Sequence, residues 1–174
     1  MRLGKRILGL LAGIMCFGAL ASCNSGTKKG AIEKVYMFLG EGDPVYKEYT
    51  VETMNQAKGG TYAGDKYDLG KAYVVVCPTK DVTIKSVTYH FENTQKYTTE
   101  RLANSKYFTA ILDKKASTYN EAFQHQTKEA VAIDLNQSDF TITLNKTAPA
   151  GKYFHIIISE GGEWSNISLT YEEI

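Results

Sequence analysis

Residues 139–171 read DFTITLNKTAPAGKYFHIIISEGGEWSNISLTY. Phe140, Ile142 and Leu144 alternate with Thr141 and Thr143. Phe154, Ile156 and Ile158 form a second alternating row, and Ile167, Leu169 and Tyr171 a third. Two turn segments separate them, 146–151 (KTAPAG) and 160–163 (EGGE). Side chains of a strand point to opposite faces with a period of two, so each row predicts a strand with one core face and one polar face. Three such strands joined by tight turns are the mark of an antiparallel sheet.

The same periodicity extends upstream. Val131, Ile133 and Leu135 make another alternating strand, and Tyr107–Leu112 a short one. Val82 and Ile84 share a face, whereas Val87, Tyr89 and Phe91 share a face displaced by one residue, which predicts a β-bulge or corner at Lys85-Ser86. Lys71–Cys77 is a continuous apolar run closed by Pro78, as suits a central strand. Val35, Met37 and Leu39 alternate with Tyr36 and Phe38, so that strand is apolar on both faces. Val45, Tyr49 and Val51 continue the period, with Lys47 the odd member on their face. Residues 55–70 are rich in Gly, Asn and Asp and read as a long loop, and 93–105 as polar and unpatterned. Near 118–127 lies the one helix candidate: Thr118-x-x-Glu121 fits a capping box, and Tyr119, Ala122 and Phe123 fall at helical spacing. The expected fold is all-β, an antiparallel two-sheet sandwich (or a barrel) with a short connecting helix.

The first residues have a different character. Arg2, Lys5 and Arg6 precede an apolar run over 7–20, the length of a signal-peptide core and too short for a ~30 Å membrane span. The run ends in Leu20-Ala21-Ser22-Cys23, which resembles the lipobox of bacterial lipoproteins. That resemblance implies cleavage before Cys23 and acylation of its sulfur and new amino terminus, and two or three acyl chains hold a membrane stably. The expected organisation is a leader over 1–22, a lipidated cysteine and flexible tether over 23–30, and a single β-sandwich domain over 31–174. Asn24 stands where enteric-type lipoproteins retained at the inner membrane carry aspartate. The resemblance therefore implies the outer membrane, with its face undetermined.

Without residues 1–22, 152 residues remain, with 17 basic against 19 acidic side chains. A net charge near −2 with mixed signs argues against nucleic acid as a partner. Cys16 leaves with the leader and Cys23 is lipidated, so Cys77 stands alone, no disulfide framework is possible, and its expected role is a small buried hydrophobe.

Residues 139–153, through the corner Pro149-Ala150-Gly151-Lys152-Tyr153, resemble the late strands of bacterial immunoglobulin-like domains. The resemblance covers 15 residues and implies an immunoglobulin-like sandwich with Tyr153 as a corner tyrosine; fold alone carries no function.

Candidate chemistry is sparse. His90, His125 and His155 lack zinc-site spacing, and His90 and His155 are expected on exposed strand faces. Ser159, His155 and Asp134 are the available triad types, without a nucleophile elbow. Glu41/Asp43 and Asp65/Asp68 lie in loops without calcium-loop spacing. No cofactor or metal is expected. Trp164, next to the EGGE turn, is the candidate for stacking on a ligand, since a turn-tip indole is suited to a sugar ring or a protein hot spot. The expected function is a lipid-anchored envelope protein with a non-enzymatic binding or adhesion role towards a glycan or envelope protein. An assembly subunit that pairs strands and an envelope enzyme without a familiar motif are the alternatives.

Overall fold

The computed structural model describes residues 30–40, 42–59, 61–63, 66–68, 70–92, 106–127, 131–132, 139–161 and 163–174. Residues 1–29, which hold the expected leader, Leu20–Cys23 and most of the expected tether, lie outside the described residues, as do 93–105 and 133–138. The strands are β1 (Val35–Gly40), β2 (Lys47–Tyr49), β3 (Lys58–Gly59), β4 (Thr61–Ala63), β5 (Lys66–Asp68), β6 (Gly70–Val76), β7 (Val82–Glu92), β8 (Lys106–Leu112), β9 (Val131–Ala132), β10 (Asp139–Ala148), β11 (Tyr153–Gly161) and β12 (Glu163–Glu173). Helix α1 spans Tyr119–Gln124, and a 3-10 turn spans Met54–Gln56.

Two antiparallel sheets pack face to face. One has the order β2-β1-β6-β11-β8-β9, the other β10-β7-β12-β3, and β4-β5 form a separate hairpin. The fold is therefore the expected two-sheet sandwich and not a barrel. The apolar run at 71–76 lies where a strand buried on both faces is needed, as β6 between β1 and β11, and Ala72–Val76 are completely buried.

The core between the sheets takes Val35, Met37, Val74, Phe154 and Ile156 from the larger sheet, and Ile84, Val87, Tyr89, Ile142, Trp164 and Leu169 from the smaller. The slip of phase in β7 is a bulge: Ser86 pairs with Thr143 and Thr170, Ile84 with Lys146 and Tyr171, and Lys85 is left between them. That extra residue lets Val82 and Ile84 face the same core as Val87 and Tyr89. A similar irregularity in β12, at Asn166 with φ of 50°, turns both Trp164 and Ile167 inward.

The larger sheet has a second apolar face. Phe38, Tyr73, Val75, Phe108, Ala110 and Ile157 point away from the smaller sheet and are covered by Ala116 and Ala122. The apolar residues on both faces of β1 follow from this third layer. Helix α1 is capped by the Thr118 hydroxyl, which accepts the Glu121 N–H at 3.1 Å, while the Glu121 carboxylate accepts the Ser117 N–H at 2.6 Å. The loop expected over 55–70 contains part of the 3-10 turn and β3–β5, because short pairings there satisfy backbone groups without an alternating pattern. Among the described residues, both cores are built from side chains between Ala31 and Tyr171.

Candidate functional site

The site is built along the outer side of β8. Among the described residues β9 pairs with β8 at Lys106 and Tyr107. Further along, Thr127 takes over: its N–H donates to the Thr109 carbonyl at 2.7 Å, and the two threonine hydroxyls are 2.7 Å apart. Beyond that clasp, Ile111 and Leu112 form the floor of a cleft of about 550 Å³, within the ~300–1,000 Å³ range of small-molecule sites.

Charged side chains make its walls. Lys152 pairs with Asp113, Lys114 lies 3.3 Å from Glu121, and His125 completes the lining. The Lys152 ammonium holds the Asp113 carboxyl below the usual range, and the Ser117 N–H does the same for Glu121. Both acids are thus ionised at neutral pH, and the cleft presents two cations and two anions above an apolar floor. Such a lining suits a polar ligand that carries charge of both signs or many hydroxyls. Lys152 reaches it because Tyr153 pairs with Leu112, which brings the corner at 149–152 beside the end of β8.

Beside the cleft lies a layer of tyrosines. The Tyr46 hydroxyl donates to the Ala116 carbonyl at 2.8 Å, and Lys115 sits 3.9 Å from the centroid of Tyr36. Tyr153 meets Tyr36 at 6.3 Å between centroids. Here also is Cys77, half-exposed rather than fully buried as expected, because it follows the last residue of β6 at the rim of the sheet. Burial pushes its thiol up, partly opposed by a hydrogen bond with Tyr153.

Trp164, expected as an exposed stacking ring, is instead 1% exposed and packs edge-on against Tyr89 at 4.8 Å. Its strand β12 is already paired with β3 and β7 at that position, so the indole turns into the core rather than out from the turn. The ring is not available to stack on a ligand.

His155, expected to be exposed, is also buried, because the face it occupies is covered by the 113–118 segment. Ser159 does not meet it: its hydroxyl donates to the Lys106 carbonyl at 3.2 Å, and four residues along a strand span ~13 Å. Asp134 lies outside the described residues. His90 is on the polar face of β7, with Nδ1 2.7 Å from Asp139 Oδ1. Asp43 is exposed, and Glu41 and Asp65 lie outside the described residues. Among the described residues no cluster of three potential metal ligands occurs.

The cleft residues carried no motif in the sequence. Glu121 was legible only as a cap and Lys152 only as part of a corner; their convergence is a product of the β8–β11 pairing. No family model matches the chain. No curated protein is similar to it in sequence.

Proposed function

We propose that the chain is a lipoprotein of the cell envelope, cleaved before Cys23, acylated there and held at the outer membrane, and that its sandwich acts as a binding module for an envelope glycan or protein. The observation that carries the reading is the position of Ala31. Eight residues beyond Cys23, its carbonyl accepts the Thr79 N–H at 2.9 Å and its N–H donates to Glu173 at 3.2 Å. The tether therefore enters the fold at one end of the sandwich, formed by residues 78–81, 149–152 and the carboxyl terminus. The cleft at Asp113 and Lys152 opens near the same end. In this reading it faces the membrane side, while the strand ends at Gly40, Glu92 and Gly161 point away.

Assembly by strand pairing has less support. β10 is the outer strand of its sheet among the described residues, but Asn145 with φ of 48° and the bulge opposite Lys85 break its edge, and Lys146 is exposed beside them.

Detergent phase separation tests the anchor. The wild-type chain is expected in the detergent phase and Cys23→Ala in the aqueous phase; equal partitioning of the two refutes it. Glycan and envelope-protein arrays test the module, with binding expected for the wild type and lost in Lys114→Ala/Lys152→Ala.

A further inference from the structure

A second, smaller site lies on the opposite edge of the larger sheet, at the seam where the two sheets meet. Lys47 pairs with Met37 across β1 and β2, and the face they share is the one Met37 turns into the core. Facing it, β3 presses so closely on β1 that a Cβ at Gly59 would stand 1.9 Å from the Leu39 Cβ. Between these elements runs a groove of about 240 Å³, lined by Met37, Leu39, Val45 and Tyr49, with Lys47 and Lys58 at its rim.

Three observations bear on what the groove can hold. Val45 is 82% exposed, so an apolar side chain on the groove has almost no cover from the protein. Neither Lys47 nor Lys58 has a carboxylate at ion-pair distance among the described residues; Lys47 instead lies 5.3 Å from the ring centroid of Tyr49, which also lines the groove. Both unpaired charges have the same sign. An inward lysine on an edge strand also deters pairing with another sheet, but that role concerns Lys47 alone and leaves Lys58 on the facing sheet unexplained.

We propose that this seam binds a carboxylate amphiphile: a short alkyl tail lies against Met37, Leu39 and Val45, and its carboxylate meets Lys47 and Lys58. A carboxylate supplies the negative charge that the rim lacks, and ion pairing at the edge of an apolar groove fixes the orientation of the tail. The volume is below the ~300 Å³ at which drug-sized sites begin, so the tail is short. The site does not depend on the lipid anchor.

The chain holds a single tryptophan, Trp164, and it pairs with Gly59 at the groove wall. Its fluorescence therefore reports from beside the site. The test uses residues 23–174 with Cys23→Ala, titrated with octanoate by calorimetry and by Trp164 emission, with octanol and octylamine as comparators. Saturable one-to-one binding of octanoate is expected, at least about tenfold tighter than that of either comparator. Lys47→Gln/Lys58→Gln is expected to bring octanoate down to the level of octanol with an unchanged melting temperature, since both lysines are exposed. Three outcomes overturn the proposal: no saturable signal through the millimolar range, octanol or octylamine binding as tightly as octanoate, or undiminished octanoate binding by the double variant.

Discussion

The Ala116 N–H donates to Nε2 of His155 at 3.0 Å, while Nδ1 of the same ring lies 3.0 Å from the Tyr153 carbonyl. Nδ1 therefore carries the proton and Nε2 accepts, so both nitrogens serve the fold. The bond ties the segment before α1 to the middle of the larger sheet, and this segment carries Lys115 and the carbonyl held by Tyr46.

This arrangement makes the fold acid-sensitive. Burial lowers the His155 pKa to about 4 from 6.5, only partly opposed by the Tyr153 and Ala110 carbonyls. Between those values the unfolded chain binds a proton that the folded chain refuses. Stability is therefore full above about pH 6.5 and falls as the pH drops towards 4, by about 3 kcal/mol over the window. Urea unfolding at a series of pH values is expected to show this slope, and His155→Gln, which keeps an acceptor without titrating there, is expected to flatten it. An equal slope in both proteins would place the effect elsewhere.

Trp164 and Tyr89 form the aromatic centre of the inter-sheet core, and the Tyr89 hydroxyl has no hydrogen-bond partner among the described residues. Trp164→Ala is expected to lose about 3–5 kcal/mol, as large-to-small changes in cores do. Tyr89→Phe removes an unsatisfied polar group and is expected to be neutral or to stabilise by about 1 kcal/mol. Chemical denaturation reads both, and a large loss in Tyr89→Phe would reveal a partner for the hydroxyl.

Gly59 is required by proximity rather than by a left-handed backbone. A Cβ there would also stand 2.6 Å from the Leu39 carbonyl oxygen, which belongs to a strand held in place on its other side by β6. Gly59→Ala is expected to cost about 1–3 kcal/mol through the displacement of β3 or β1. Thermal unfolding measures it, and an unchanged midpoint would mean that β3 yields freely.

Cys77 is half-exposed but has a raised pKa, so less thiolate is present at neutral pH than for a free cysteine. Its reaction with a disulfide reagent at pH 7.5 is expected to be slower in the folded protein than in urea, and faster again in Tyr153→Phe only if access rather than ionisation controls it. Folded and unfolded rates that coincide would contradict the raised pKa.

The sequence by itself determined the strand rows of the carboxyl third, the buried central strand at 71–76, the bulge at Lys85-Ser86 and the short helix with its Thr118 cap. Each is encoded locally, in the period of two, in an unbroken apolar run, in a slip of phase or in a capping pair. Only the tertiary structure decided what covers each face. His155 and Thr141 both sit on the face opposite their strand's core row, yet one is buried and the other exposed, because among the described residues a third layer covers only the larger sheet. The turn beside Trp164 was legible, but the indole's direction depends on its pairing with Gly59 and Phe91. Lys152 lies 39 residues from Asp113 in sequence and meets it through the pairing of Tyr153 with Leu112. Lys47 alone announced itself as a charge on an apolar row, and the seam beside it shows why a local pattern could mark the residue but not the groove that gives it a purpose.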